Sequence, residues 1–216
     1  PEQAVNKDKA AATDVPGADG KINKEVRDKV RGILGEYYMN DDAPDALTTF
    51  KEVIHPNAMG EVIGQPKGCI DFVFEKHPGN GKNLCKLLEY LFQEKFLTKE
   101  QVKKALFLFL DNFDETCIDS PKASEYGGEI IACLIADGLL SLTALSEVPE
   151  DSMWHMSYRR AGFMGDLLTA LVDRTSADSV ESELTTLAAK LDVLSMVPTE
   201  PKQSDEDART QYLNKY

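Results

Sequence analysis

Histidine and tryptophan are scarce in this 216-residue chain, which has three of the first and one of the second, and its basic residues fall well short of its acidic ones. His55, His77 and His155 are far apart in sequence, and two of them border turns, so no paired-histidine pattern for a metal or a general base is present. There is no G-x-S-x-G elbow and no Cys or His in a recognisable nucleophile context. The sequence therefore gives no support to an enzyme, a metal centre or a bound cofactor. Lys plus Arg is 24 against 37 for Asp plus Glu, a formal net charge of −13. Nucleic-acid binding as the main activity is disfavoured, because neutralising phosphates takes a basic face. An acidic chain attracts basic protein surfaces instead, although the same charge also serves solubility alone. No apolar run reaches membrane-spanning length and no signal peptide is visible, so no membrane contact is expected.

The four cysteines, Cys69, Cys85, Cys117 and Cys133, include no C-x-x-C pair, and each lies in or beside an apolar run. Buried free thiols in a reducing, intracellular compartment follow from that placement. The chain opens on Pro1, which reads as a fragment of something larger, monomeric in isolation.

What the sequence has in abundance is helical periodicity. Residues 1–22 are polar and read as a disordered linker. Val26, Val30, Ile33, Leu34 and Tyr37 then mark one face of a helix. Asp42 is placed to cap a second helix, with Pro44 in its first turn and Ala46, Leu47, Phe50, Val53 and Ile54 as its apolar stripe. His55-Pro56 ends it. Gly60, Gly64, Pro66 and Gly68 make the next stretch irregular, and Cys69 to Lys76 reads as a short buried helix, with a strand as the alternative. After the turn His77-Pro78-Gly79-Asn80-Gly81, Leu84, Leu87, Leu88, Leu91 and Phe92 form another stripe. Thr98 and Gln101 form a capping box for a central helix over 99–114, apolar on two faces through Phe107 and Leu108. Ser120-Pro121 reads as the cap and first residue of the following helix. Gly127-Gly128 inside that helix suits the close approach of a neighbour, and Asp137-Gly138 suits its end.

From Asp151 on, Trp154, Phe163, Leu167 and Leu171 continue the pattern. A capping pair Asp178/Glu181 precedes Val180, Leu184, Leu187, Leu191 and Leu194. This last helix either packs back on the domain or meets a partner helix. The fold class is all-α, a HEAT-like stack of antiparallel helix hairpins with seven to eight helices. Residues 23–145 form the domain, 146–197 add C-terminal helices, and 198–216 form a disordered tail.

The segment Asp111 to Pro121 is the candidate site. It holds Asp111, Asp114, Glu115 and Asp119 with no Lys or Arg, between two apolar helical patterns, and reads as an acidic turn for docking a basic partner. A calcium loop is excluded, since Phe113 and Thr116 stand where an oxygen ligand and the bending Gly belong. Gly79-Asn80-Gly81-Lys82 is no phosphate loop either, because Lys76 and Asn83 replace the required Gly and Ser/Thr.

Three passages resemble one family. They are Gly35-Glu36-Tyr37-Tyr38 followed by Asp45-Ala46-Leu47, the Leu-rich helix Leu84 to Leu97, and Val102 to Leu140. The third contains Glu115, Asp119-Ser120-Pro121 and Ala136-Asp137-Gly138-Leu139-Leu140. Over residues 24–145 the chain resembles the MI (MA-three) domain of eukaryotic translation initiation factor 4 gamma, which also occurs twice in a programmed-cell-death translational repressor. The resemblance implies a non-enzymatic, cytoplasmic scaffold of translation initiation. Its partner would be the DEAD-box RNA helicase initiation factor 4A, with messenger RNA reached only through the complex. It implies partner contacts at Glu115 and Asp119, with Pro121 completing the Asp-x-Pro, while Asp111 and Asp114 shape the local potential. A plain capping role for Asp119 and a solvated role for Glu115 stand as the alternatives. A repressor that sequesters the same helicase, or a nuclear splicing or ribosome-biogenesis factor, are the rival functions. The chain departs from the family at Ala58 to Gly68, where a longer helix is usual, and in the extension over 151–196.

Overall fold

The computed structural model describes residues 16–188, and among them the secondary structure is entirely helical. The ten α-helices are α1 (Lys24–Asn40), α2 (Ala43–Val53), α3 (Met59–Gly64), α4 (Cys69–Lys76), α5 (Gly81–Gln93), α6 (Lys99–Asp111), α7 (Phe113–Asp119), α8 (Ala123–Ala136), α9 (Arg160–Arg174) and α10 (Ala177–Ala188). Short 3₁₀ turns occupy Pro56–Ala58, Leu142–Glu147 and Met153–Met156. They form a HEAT-like stack, with α1 against α2 and α8 against α9 as sequential pairs and one continuous apolar core running through them.

The local signals act as their chemistry requires. The Asp42 carboxylate accepts the Asp45 amide at 3.0 Å and starts α2. Thr98 and Gln101 close the reciprocal capping box of α6 at 3.3 and 2.8 Å. Cys69–Lys76 is helical, with Cys69, Ile70, Phe72, Val73 and Phe74 all buried. Asp137 and Gly138 close α8 with the Leu139 amide bonded to Leu134 O and the Gly138 amide to Ile135 O, a Schellman arrangement.

Two helices exceed the sequence expectation of seven to eight. One is α3, inside the stretch whose glycines suggest a break. All six of its residues are buried, and Gly64 lies so close to α6 that a Cβ there would overlap the Ala105 backbone. The glycine admits a neighbouring helix; it does not interrupt its own. Gly128 does the same for α9, where an added Cβ would stand 2.9 Å from Leu167 N. The other extra helix is α7, formed by the acidic segment itself. α6 stops at Asp111, and Asn112 turns the chain, its side-chain amide donating to Leu108 O at 2.9 Å. The segment read as a turn is thus a two-turn helix with a break before it.

Other expectations change in detail. Ser120 and Pro121 lie in the turn before α8, which starts at Ala123 with no side-chain cap. The Ser176 hydroxyl, not Asp178, accepts from the Ser179 amide at 3.2 Å at the start of α10. Phe107 and Leu108 are half-buried along a shallow groove with Pro149 and Ser152, so α6 is fully covered on one face only. Of the stretch read as a linker, residues 1–15 lie outside the described residues. Pro16 O accepts the His55 amide at 2.8 Å and Ala18 O accepts the Asn57 side chain at 3.2 Å, so a turn over 16–20 is fastened to the 3₁₀ turn that precedes α3. Leu191, Leu194 and the tail over 198–216 also lie outside the described residues.

Gly64→Ala is expected to lower unfolding free energy by about 1–3 kcal/mol, since the new methyl meets backbone that can yield only by moving α3 off α6. Urea denaturation followed by circular dichroism measures it, and an unchanged midpoint would refute the interlock.

Candidate functional site

α7 has inward and outward faces fixed by helical spacing. Phe113 and Cys117, one turn apart, are buried, and Glu115 and Asp119, also one turn apart, are exposed on the opposite side. The two carboxylates predicted to act together therefore share one face. Neither Glu115 nor Asp119 has a hydrogen-bond or ion-pair partner among the described residues. Asp119 ends α7, and no capping bond from it to α8 is present, which removes the plain capping role.

This face borders a groove of about 480 Å³. Glu115, Thr116, Asp119, Ser120 and Pro121 form one wall, and Pro66, Lys67, Asp71, Phe74 and Glu75 the other. The second wall comes from α4 and the α3–α4 connection. α1 holds it in place, with the Arg27 guanidinium donating to Pro66 O at 3.0 Å and Arg31 to Lys67 O at 3.2 Å and to Glu75 at 2.6 Å. Lys67 has a left-handed backbone (φ 63°), and its amide donates to the Asp71 carboxylate at 2.7 Å. Burial pushes the Asp71 carboxyl above its ordinary value, and the neighbouring charges of Glu75 and Asp119 add to the shift against the Lys67 amide and Arg31. Four carboxylates thus line the groove against Lys67. Asp71 and Glu75 went unassigned at the level of sequence. Their i, i+4 spacing was legible, but nothing in it tied α4 to α7.

Asp111 and Asp114 behave differently from the exposed pair. The Asp111 carboxylate accepts from the Ser152 hydroxyl and the Met153 amide, both at 2.9 Å. Asp114 accepts from the Ser157 hydroxyl at 2.7 Å and lies 3.8 Å from Arg159 Nε. Both are spent on fastening the loop that leads into α9. The same loop inserts Trp154 under α7, where its ring stands 5.7 Å from Phe113 and 5.5 Å from Phe163. Phe109 and Phe163 complete the cluster, at 5.6 and 5.1 Å from Phe113 in edge-to-face contact.

The remaining chemistry-bearing residues are engaged in structure. The His77 ring stacks on Tyr38 at 4.2 Å, the His155 ring meets Pro149 O at 3.0 Å, and His55 accepts the Asn57 amide at 3.2 Å. All four cysteines are buried and free. Burial pushes the Cys69 thiol up to about 12 and the Cys117 thiol up to about 11, so neither is poised as a thiolate. No cluster of three or more metal-ligating side chains occurs among the described residues, and no helix there is long and apolar enough to cross a membrane.

Residues 26–141, more than half of the chain, match the MA3 domain. The chain belongs to the MA3 domain family. It is also 25% identical over 164 residues to a wheat (Triticum aestivum) eukaryotic translation initiation factor 4G, an alignment that covers 74% of this chain and 11% of that protein. The chain thus spans about a tenth of the relative's length. The MA3 match takes in α7 and both walls of the groove. It ends before the Ser152–Ser157 loop and α9, which fill the space beneath α7.

Replacing Asp111 or Asp114 with Ala takes the carboxylate acceptor from the buried hydroxyl of Ser152 or Ser157 and is expected to cost about 1–3 kcal/mol. Glu115→Gln and Asp119→Asn are expected to stay within about 0.5 kcal/mol of the parent. Urea unfolding of the four variants makes the comparison, and equal losses at all four would contradict the division between inward and outward carboxylates.

Proposed function

We propose that this MA3 domain is a non-enzymatic docking module of a cytoplasmic translation initiation factor, and that it binds the DEAD-box RNA helicase initiation factor 4A through the outer face of α7. One observation carries the reading. Glu115 and Asp119 stand together, exposed and without partners among the described residues, at the lip of a groove that already holds Asp71 and Glu75. Carboxylates left unpaired on a rigid helix lose little conformational freedom on meeting Lys or Arg, and form charge-assisted hydrogen bonds there. Pro121 shapes the turn that ends this wall. The similarity to the wheat initiation factor supports a scaffold of translation over a sequestering repressor. Messenger RNA is then engaged through the helicase, in keeping with a chain of net charge −13.

Calorimetric titration of the chain into purified helicase tests this. Glu115→Lys combined with Asp119→Lys is expected to abolish measurable binding, since reversing a charge at a desolvated ionic contact costs at least the roughly 2–5 kcal/mol of truncating it. Affinity of the parent should fall as salt rises. Undiminished binding by the folded double variant would move the contact elsewhere, and no binding by the parent would reject the helicase as partner.

A further inference from the structure

We infer that the partner contact extends from the acidic face of α7 onto an apolar platform made by Ile118, Met153, Met156 and Tyr158. This rests on the helicase reading above and adds to it a requirement on the partner: an apolar cluster beside its basic residues. These four are among the few large hydrophobic side chains left in solvent, with exposures of 75, 56, 74 and 64%. They come from two places far apart in sequence, and the fold brings those places together.

Their adjacency follows from the anchoring bonds. Met153 N is bonded to Asp111 at the end of α6, and Ser157, flanked by Met156 and Tyr158, is bonded to Asp114 on α7. Ile118 lies one turn beyond Asp114 and so shares its flank of α7. At 100° per residue, the surface of α7 runs from that flank through Ile118 to Glu115 and Asp119. Apolar platform, acidic crest and acidic groove are therefore successive strips of one face.

The platform is built rather than loose. Ser152, Trp154 and Ser157 are 9, 1 and 3% exposed, so the loop is pinned at three positions while Met153, Met156 and Tyr158 point outward. Arg159 lies over the Tyr158 ring, its guanidinium carbon 4.9 Å from the centroid, and near Asp114, so this cation is held within the chain. Methionine and tyrosine are adaptable, large-area residues, suited to covering an irregular partner surface. Charge decides among occupants. A second copy would bring an equally acidic crest against this one, and an anionic lipid surface would be repelled by the same carboxylates. A protein surface with Lys or Arg flanking exposed apolar side chains matches both strips at once.

The test uses the full 216-residue chain with Met153→Ser, Met156→Ser and Tyr158→Ser combined, plus Met156→Ser alone in case the triple variant unfolds. Circular dichroism and urea midpoints establish folding, and calorimetry against the helicase is run at two salt concentrations. The expected result is at least a tenfold loss of affinity for the triple variant and a smaller loss for Met156→Ser, with the parent's salt dependence retained. Parent-like affinity in both folded variants, while the Glu115/Asp119 variant loses binding, overturns the platform and leaves the helicase reading standing. No binding by the parent overturns both. Concentration-dependent dimerisation of the parent that the triple variant abolishes, with helicase affinity unchanged, assigns the patch to self-association and also overturns the inference.

Discussion

The aromatic cluster of Phe109, Phe113, Trp154 and Phe163 is the contact on which the candidate site depends. α7 is seven residues long and buries two side chains, far too little for a helix to persist on its own. It holds its shape because Phe113 is driven into a pocket whose other rings come from α6, from the 3₁₀ turn at Met153–Met156 and from α9. The direction of Glu115 and Asp119 follows from that burial: with Phe113 and Cys117 inward, those two carboxylates have only outward positions left. An acidic surface of this kind is positioned by the apolar residues beneath it.

Within one short stretch, carboxylates of the same chemical type have two separate fates. Asp111 and Asp114 accept hydroxyl and amide protons from Ser152, Met153 and Ser157 and so tie the loop to the end of α6 and to α7. Glu115 and Asp119 accept from no side chain among the described residues. The difference is angular, set by position around a helix and by the break at Asn112. Across the groove, burial holds the Asp71 carboxyl above its ordinary value, and the charges of Glu75 and Asp119 add to it.

Close backbone approaches set the frame around this site. Gly64 lets α3 press on α6, and Gly128 lets α9 press on α8. α6 and α8 are the two helices that flank α7 in the chain, and each is packed in this way against a further helix. The 3₁₀ turn at Met153–Met156 then sets Trp154 against Phe113 of α7 and Phe163 of α9.

Much of this was legible beforehand. The apolar stripes of α1, α2, α5, α6 and α8, the Asp42 cap and the Thr98/Gln101 box are local patterns, and local patterns are decided by side-chain spacing and by nearby backbone amides. The shared face of Glu115 and Asp119 also follows from helical spacing. Other features were not legible, because they depend on partners distant in sequence. Gly60 and Gly64 look like breakers until α6 is seen against them. The acidic segment looks like a turn until Trp154 and Phe163 are seen beneath Phe113. Asp111 and Asp114 look like surface charges until Ser152 and Ser157 arrive some forty residues later to use them. The sequence by itself determined an all-helical stack with an acidic segment at its centre, since helical periodicity and charge are properties of neighbouring residues. Only the tertiary structure decided which carboxylates face outward and what stands beside them, because burial and hydrogen bonding are settled between segments that the chain keeps apart.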